Sequence, residues 1–264
     1  METLLLVDGH NFLFKSFAVP FKFRSSKGTP LHVCTTFISL LRRAVNATSA
    51  DCVTVVFDAQ EKTSNNLLSD SYKANRKKDY SQDEDSPFNH LPIIKAALDY
   101  LNVCWLEKPG IEADDLIASL TCQFLKESAE RVAYIASNDT DFYQLVSYNV
   151  KIIQLKAKQQ YLILDTDYLS KVLGLNVEQY VELKSWVGDK VDNIVGIPGI
   201  GWKRAQEILD GKRVRDLSDE EIKLLELNRR LIRLNCELQI GCEFSEVGDL
   251  LRKSNREVFE ALDN

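Results

Sequence analysis

Three apolar runs in the sequence each lead into aspartate. The runs and the acids that follow them are 3–7 with Asp8, 53–57 with Asp58, and 132–136 with Asp139 and Asp141. Continuous runs rich in Val, Ile and Leu are typical of strands that are buried on both faces of a parallel sheet. Because ligands of open α/β sheets bind outside the carboxyl ends of the strands, we expect these aspartates to converge on one edge of a sheet.

A second group of acids opens a predicted helix that extends to about residue 126. These acids are Glu112, Asp114 and Asp115. Crowded carboxylates raise one another's pKa values, so such a cluster is stable at neutral pH only if cations neutralise it. Oxygen ligands without histidine or cysteine indicate Mg²⁺ or Mn²⁺ rather than zinc. Each acid alone could instead be a helix N-cap or a favourable charge near a helix N-terminus. That explanation is weaker for all of them together.

The composition is that of a globular protein with room for a substantial core. Of the 264 residues, 45% are hydrophobic and 27% are charged, and no apolar run approaches the ~20 residues that span a bilayer. The N-terminal strand follows no basic region, which argues against a signal peptide. The six cysteines form no Cys-x-x-Cys pair. We therefore interpret them as reduced thiols of a cytoplasmic protein rather than as disulfides or a zinc site.

The net charge of −6 at first disfavours nucleic acid as a partner. Nine of the negative charges belong to the candidate site, namely Asp8, Asp58, Glu112, Asp114, Asp115, Asp139, Asp141, Asp189 and Asp192. Once these nine are set aside, the remainder of the chain carries a net charge of +3. A locally positive groove around a metallated acidic centre is therefore compatible with the acidic total.

The remaining pattern predicts an α/β fold with a central, mostly parallel sheet flanked by helices. Helical stripes fall at 33–44, 88–101 and 113–126, and further short strands at 103–106, 151–155 and 161–164. From about residue 166 the sequence becomes helical, which divides the chain into the regions 1–164 and 165–264. The polar stretch 61–87 interrupts the pattern and is typical of a lid, a binding loop or disorder.

Six segments, taken in order, resemble the motifs of the 5′-nuclease family. They are residues 6–9, 56–58, 72–76, 110–115, 138–141 and 188–201. This family includes phage flap endonucleases, standalone bacterial 5′→3′ exonucleases and the 5′-nuclease domain of bacterial DNA polymerase I. Each segment alone is weakly specific, but the ordered set is highly specific and spans most of the chain. The resemblance implies a PIN-like nuclease core, an arch at about 61–90 and a C-terminal DNA-binding region with a helix–two-turn–helix element.

The resemblance also implies two groups of metal ligands. The first group is Asp8, Asp58, Glu112, Asp114 and Asp115, and the second is Asp139, Asp141, Asp189 and Asp192. Some standalone bacterial members lack the second group, which this chain keeps. Two Mg²⁺ ions roughly 4 Å apart, which Mn²⁺ could replace, would activate a water and stabilise both the attacking and the leaving oxygen.

The implied activity is hydrolysis of DNA at 5′ flaps or 5′ ends beside duplex, with 5′-phosphate and 3′-hydroxyl products. The implied role is in DNA replication and repair, and we expect a monomer without a membrane partner. In the implied arch, Tyr72 would stack on an unpaired base. Lys73 and Arg76, on one face if that segment is helical, would hold and polarise the scissile phosphate. Without the resemblance, a solvated basic surface would be the better interpretation of these residues.

Further DNA contacts are implied for Lys15 and for a glycine-rich turn with the helix that follows it. The residues of the turn and helix are Gly196, Gly199, Gly201, Lys203 and Arg204. Glycines let the backbone approach phosphates closely, and the amides of the next helix point at them. A K⁺ ion at this turn is also implied. From the residues alone, a plain helix–turn–helix corner remains open.

Three residues depart from the family pattern. Lys15 stands where arginine is common, Val195 where proline is usual, and Trp202 is unusual at the start of the basic helix. These departures concern the strength of DNA binding, because none of them removes a proposed metal ligand.

Three other functions remain open. A haloacid-dehalogenase-type phosphatase opens with a motif like residues 5–9, but it has a second aspartate where this chain has His10. A PIN-type ribonuclease is usually shorter and lacks the glycine-rich turn. A catalytically weak DNA-junction binding protein is disfavoured by the complete set of acids.

Overall fold

The computed structural model of the protein describes residues 2–20, 22–24, 28, 30–59, 72–73, 86–156, 160–242 and 244–262. Most of the predicted arch, including Arg76, lies outside these ranges. Within them, no helix is long and apolar enough to cross a membrane.

The apolar runs form one central sheet. Its main strands are β1 (Thr3–Asp8), β2 (Cys52–Val56), β3 (Cys104–Leu106), β4 (Val132–Ala136), β5 (Val150–Leu155) and β6 (Tyr161–Leu164). Their order across the sheet is β3-β2-β1-β4-β5-β6. The strands from β3 to β5 are parallel to their neighbours, and β6 is antiparallel to β5. The predicted class, an α/β fold with a mostly parallel central sheet, is therefore confirmed.

The register of the sheet aligns the ends of its three central strands. Asp8 lies opposite Val56 of β2, and Val7 lies opposite Ala136 of β4. All six residues of β1 are buried, as expected for a strand covered on both faces. The acids that follow β1, β2 and β4 therefore lie at the same edge of the sheet.

Helices cover both faces of the sheet. The described helices are α1 (Gly9–Phe17), α2 (His32–Thr48), α3 (Leu91–Tyr100), α4 (Ala113–Lys126), α5 (Thr166–Lys171), α6 (Tyr180–Val187), α7 (Trp202–Leu209), α8 (Asp219–Ile232), α9 (Gly248–Arg252) and α10 (Asn255–Leu262). Short 3₁₀ segments span Pro87–His90, Asp141–Leu145 and Val177–Gln179. Because strand side chains alternate, Leu4 and Leu6 pack in the core with α4, whereas Leu5 and Val7 pack in the core with α2 and α3.

Residues 245–262 return to the central sheet. Strand β9 (Ser245–Glu246) pairs antiparallel with β2. Leu250 of α9 and Val258 of α10 are buried in the same core as α2 and α3. Residues 245–262 thus pack with the sheet, although the predicted division at 164/165 assigned them to the helical region. That division stays a prediction.

Asn228 on α8 ties the helical region together. Its side chain is 1% exposed. Its Nδ2 donates to the carbonyl of Ser185 at 2.9 Å and to that of Val195 at 2.8 Å. The first bond joins α8 to α6, and the second joins α8 to β8 (Ile194–Val195), the second strand of a small hairpin with β7 (Gly188–Asp189).

We expect Asn228→Ala to lower the free energy of unfolding by about 2–4 kcal/mol, because two buried hydrogen bonds are lost and a cavity is left. Urea denaturation measures this change. The matched control is Gln239→Ala at an exposed amide, which should change stability by less than ~0.5 kcal/mol. Equal losses in both variants would show that these two bonds do not stabilise the region.

Candidate metal centre and DNA-binding turn

The acids that follow β1 and β2 are held at the carboxyl edge of the sheet by hydrogen bonds between elements. Asp8 accepts the Asn11 N–H at 2.9 Å through Oδ1, and the Ser137 hydroxyl at 2.7 Å through Oδ2. Asp58 accepts the Ala113 N–H at 2.8 Å, which links the end of β2 to the start of α4. Asp8 is therefore the N-cap of α1 and also part of the acidic edge, so the two interpretations from sequence coexist.

Burial and, to a smaller extent, mutual repulsion disfavour the charged carboxylates at this edge. Burial raises the pKa of Asp8 to about 6, and the charges of Asp58 and Asp139 add to the rise. Burial also raises the pKa of Asp114 well above its ordinary value, with further contributions from Asp139 and Asp8. The structure thus brings these four acids together in an arrangement that favours a bound cation.

His10 lies beside Asp58 at the same edge. Its Nδ1 is 3.2 Å from Oδ2 of Asp58 and 3.1 Å from the backbone nitrogen of that residue. Burial opposes ionisation of Asp58, but the hydrogen bond and charge of His10 outweigh it, so the pKa of the carboxyl is lowered. From sequence, His10 served only as evidence against a phosphatase.

Lys73 reaches this edge from the short described segment 72–73. Its Nζ donates to Oε2 of Glu112 at 2.9 Å, and its backbone N–H donates to the carbonyl of Asp192 at 2.9 Å. Burial disfavours the charged lysine, but Glu112, Asp114 and the Tyr72 hydroxyl raise its pKa above the ordinary value. The φ of Lys73 is +53°, so the chain turns at this residue.

Tyr72 is placed differently from the sequence-based expectation. Its hydroxyl donates to Oε2 of Glu112 at 3.1 Å. The residue is 5% exposed and packs with Ile194, Leu231 and Ile232. In this conformation the ring is part of the interior and cannot stack on a base.

The second acid group surrounds a buried lysine that sequence reasoning missed. Lys184 on α6 is 5% exposed, and its Nζ forms ion pairs with Asp141 and, at 2.6 Å, with Asp189. Burial disfavours its charge, but these acids raise its pKa above the ordinary value. A signal was present in the sequence, because Lys184 follows Tyr180 and Leu183 at core-facing positions of a helix.

The second acid group is continuous with the first. Asp139 accepts the Asp141 N–H at 2.9 Å, and burial raises the pKa of Asp141 to about 6 despite Lys184. Asp192 is 5% exposed, and its charge acts on both Asp141 and Lys73. Both predicted groups therefore face one acidic region.

Asp115 lies at the margin of this region. Its Oδ1 accepts the backbone N–H of Asn235 at 2.8 Å. Burial raises the pKa of Asp115, and the charge of Glu112 contributes to the rise. Asp115 is thereby tied to the segment that follows α8.

The donor chemistry of these acids fits a hard divalent cation, because every candidate donor is a carboxylate oxygen. In the described ranges, no three acidic, histidine or cysteine side chains have the spacing of a formed metal site. Lys73 and Lys184 instead supply positive charge between the acids. Metal binding would therefore draw the carboxylates closer together.

The predicted DNA-binding glycines lie between β8 and the start of α7. At Gly196, an added Cβ would lie 2.1 Å from the carbonyl oxygen of Val187, so only glycine fits. Gly199 has a φ of +74°, and Gly201 is the N-cap of α7. The carbonyl of Gly199 accepts a hydrogen bond from Arg204 at 2.7 Å.

The basic side chains at this turn are exposed. Lys203 and Arg204 lie in the first turn of α7 and are open to solvent, as are Trp202, 40% exposed, and Val195, 66% exposed. Arg215, which sequence reasoning missed, donates to the carbonyl of Pro198 at 3.0 Å. The turn thus presents positive charge with exposed apolar side chains beside it.

Lys15 on α1 lies close to the acidic edge. Its Nζ donates to Oδ1 of Asn138 at 2.6 Å. Burial lowers its pKa to about 8, while the charge of Asp8 opposes that shift. Lys15 is therefore next to the metal candidates rather than at the turn.

The comparisons with known proteins agree with this geometry. Residues 3–174 match the family model described as the N-terminal resolvase-like domain of 5′-3′ exonucleases. A 5′-3′ exonuclease from Aquifex aeolicus is 32% identical over 93% of this chain and 86% of its own length. DNA polymerase I from Thermus thermophilus is 32% identical over 91% of this chain but only 30% of its own length. The chain thus spans less than a third of that polymerase.

Solved structures show the same fold. A bacteriophage T5 flap endonuclease, in a complex with DNA and metal ions, superimposes with a TM-score of 0.65 at 22% identity, covering 88% of this chain and 86% of the phage protein. The chain therefore has the fold of this flap endonuclease. The chain belongs to the 5′-3′ exonuclease family.

We expect Lys184→Met to lower the free energy of unfolding in a chelating buffer by about 3–5 kcal/mol, because it leaves two acids without their buried partner. Chemical denaturation in excess chelator measures the loss. The matched control is Lys171→Met, which breaks an exposed ion pair with Asp167 and should have no measurable effect. If both variants were equally stable, Lys184 would not be the internal counterion.

Proposed function

We propose that the chain is a structure-specific 5′-nuclease that hydrolyses DNA phosphodiesters at junctions of single strand and duplex. It would act as a 5′→3′ exonuclease and flap endonuclease, and leave 5′-phosphate and 3′-hydroxyl ends. The observation that carries this proposal is the convergence of acids from four separate segments on one sheet edge, with Lys73 among them.

Two divalent ions, Mg²⁺ or Mn²⁺, are proposed to bind at this edge. The ligands we propose are Asp8, Asp58, Glu112, Asp114 and Asp115 in one group, and Asp139, Asp141, Asp189 and Asp192 in the other. Bound ions would supply an activated water and would stabilise charge on the reacting phosphodiester. The raised pKa values of Asp8 and Asp141 support the proposal, because burial and neighbouring acids disfavour their negative charge and a bound cation would offset both effects.

The basic residues of the chain then divide into two roles. Lys73 and Lys15 lie beside the acids and would hold the scissile phosphate. Lys203 and Arg204 project from the turn and would bind duplex backbone without reading sequence. Tyr72 could stack on a base only after leaving Glu112 and its apolar neighbours, so its proposed role requires movement of segment 72–73.

We also propose a K⁺ site at the turn, although the hydrogen bonds of two carbonyls there oppose it. The carbonyls of Pro198 and Gly199 already accept hydrogen bonds from Arg215 and Arg204. A K⁺ ion would have to use other carbonyls or displace these guanidinium groups.

We also propose that the protein acts as a monomer in the cytoplasm, in replication and repair of DNA. The presence of all six cysteines as thiols fits this location.

One assay separates the candidate functions. A duplex with a 5′-labelled flap is incubated with the protein, with Mg²⁺ or with excess chelator. Magnesium-dependent release of the flap is the expected result. Cleavage of an RNA strand but not of DNA would favour the ribonuclease, binding without cleavage would favour the junction-binding protein, and release of terminal phosphate alone would favour the phosphatase.

We expect Asp114→Asn to abolish cleavage while raising thermal stability in chelator. Loss of one of several repelling charges should raise the melting temperature by about 2–4 °C, which corresponds to roughly 1 kcal/mol. The rise in melting temperature on adding Mg²⁺ should shrink. Differential scanning fluorimetry with and without Mg²⁺ measures both effects.

The matched control for that variant is Asp167→Asn at an exposed acid. It should keep wild-type cleavage and the full response to Mg²⁺. An Asp114→Asn protein that still cleaved in Mg²⁺, or that responded to Mg²⁺ like the wild type, would contradict the assignment of Asp114 as a ligand.

Lys73→Ala should slow single-turnover cleavage by about 10²–10³-fold, because a charged donor near the scissile phosphate is removed. Duplex affinity should change little. Lys203→Ala should do the reverse, weakening binding to all sequences and lowering the slope of log affinity against log salt by about one. Rapid-quench kinetics and fluorescence anisotropy at several salt concentrations measure these effects. Small and equal effects of both changes would favour merely solvated lysines.

A further inference from the structure

The segment that follows α8 packs against α4. We call residues 233–242 the strap; they form no helix or strand. Ser119 on α4 donates its hydroxyl to the carbonyl of Asn235 at 2.6 Å. Gln123, one turn further along α4, donates to the carbonyl of Leu238 at 2.5 Å. The strap therefore lies along one face of α4.

Two pairs of thiols join this strap to the core. Sγ of Cys104 on β3 lies 3.3 Å from Sγ of Cys242. The hydrogen bonds of Ser119 and Gln123 to the strap hold Cys236 beside Cys122 on α4, and these two thiols share a hydrogen bond. In each pair, one cysteine belongs to the core and the other to the strap.

The four paired cysteines differ from the other two in environment. All four are partly exposed, whereas Cys34 and Cys52 are buried. The thiol of Cys34 lies 3.9 Å from the carbonyl oxygen of Ile93, and that of Cys52 lies 3.8 Å from a carboxylate oxygen of Glu2. Cys34 and Cys52 are therefore internal controls, because they are also free thiols but are buried.

In each pair the core thiol has a lowered pKa, whereas the pKa of its partner in the strap is raised by the shared hydrogen bond and by burial. The hydrogen bond from Cys242 lowers the pKa of Cys104 to about 7, and that from Cys236 lowers the pKa of Cys122 to about 7. Burial instead raises the pKa of Cys34 to about 12 and that of Cys52 to about 11. Because the thiolate is the nucleophile in disulfide exchange, Cys104 and Cys122 are the attacking thiols at neutral pH.

We propose that Cys104–Cys242 and Cys122–Cys236 are sites of reversible disulfide formation that fasten the strap to the nuclease core. The oxidant is a small-molecule disulfide of the glutathione class. A disulfide requires a sulfur–sulfur distance of about 2.05 Å. The strap, which belongs to no helix or strand, can supply the remaining movement of Cys242 from its present 3.3 Å.

The reaction is an exchange in two steps. The thiolate of one cysteine attacks oxidised glutathione, forms a mixed disulfide and releases one glutathione thiolate, which takes a proton. The partner thiol then loses its proton and attacks the protein sulfur of the mixed disulfide. This step forms the internal bond and releases a second glutathione. The two cysteines lose two electrons, and the glutathione disulfide gains them.

The linkage matters because the strap adjoins the acidic edge. Asn235, which precedes Cys236, donates its N–H to Asp115. The Cys104–Cys242 bond would also close a loop between residues 138 positions apart, and disulfides that close long loops restrict the unfolded chain most.

The proposal is tested on the intact, reduced protein. It is incubated with oxidised glutathione at neutral pH, quenched with N-ethylmaleimide in denaturant so that buried thiols also react, and mapped by mass spectrometry without reduction. The expected result is cross-linked peptides that join Cys104 to Cys242 and Cys122 to Cys236, with Cys34 and Cys52 alkylated. Random pairing, or stable glutathione adducts on the four cysteines without internal disulfides, would overturn the proposal.

Single substitutions identify the exchange partner. Cys242→Ser should trap Cys104 as a lasting glutathione adduct, and Cys236→Ser should trap Cys122. The control Cys52→Ser should leave both cross-links unchanged. If a variant folds poorly, the cross-link map of the wild-type protein alone tests the proposal.

Thermal stability provides an independent readout. Oxidation of the wild type should raise the melting temperature by roughly 5–10 °C, and dithiothreitol should reverse the rise. Cys242→Ser, which keeps the Cys122–Cys236 cross-link, should lose about half of the rise. An oxidised protein with both cross-links and an unchanged melting temperature would contradict the claim that they fasten the strap.

Discussion

Repulsion among carboxylates at one edge of a parallel sheet is the constraint on which the rest of the structure depends. Parallel register places the ends of β1, β2 and β4 side by side, so their acids must meet. The fold compensates with cations from outside the sheet, since Lys73 pairs with Glu112 and Lys184 pairs with Asp141 and Asp189. Hydrogen bonds from backbone N–H groups add further support, but burial and the remaining repulsion still raise the pKa values of Asp8 and Asp114.

The two lysines compensate in different ways. Lys184 lies on α6, a helix packed against α8, so its position is fixed by the core. Lys73 lies in the two-residue segment 72–73 and is held by Glu112 and by the carbonyl of Asp192. A buried cation between acids contributes little net stability, but its loss leaves charges unpaired. The carboxylates therefore repel one another in the metal-free protein and lower its stability. A bound metal would relieve this repulsion.

The strands and their aspartates could be predicted from sequence because both signals are local. A five-residue apolar run and the acid after it need no knowledge of distant residues. Tyr72 could not be placed in this way, since its burial depends on Ile194 and Leu231 from far along the chain. The same holds for the Cys104–Cys242 contact and for β9, whose two residues show no periodicity. For Lys184, the sequence shows that the residue faces the core of a helix packing, but it does not show which acids pair with the lysine.

The contacts of Glu112 also suggest an order of events in the proposed reaction. Oε2 of Glu112 accepts from both Tyr72 and Lys73, so it cannot serve a metal fully while both donors remain. Tyr72 is a neutral donor and Lys73 a charged one, so Tyr72 makes the weaker bond and would be the first to leave if Glu112 held a divalent ion. Lys73 would then exchange a carboxylate for a phosphate, which conserves a charge-assisted hydrogen bond. Because each exchange replaces one favourable contact by another, segment 72–73 can change partners without leaving a buried charge unpaired.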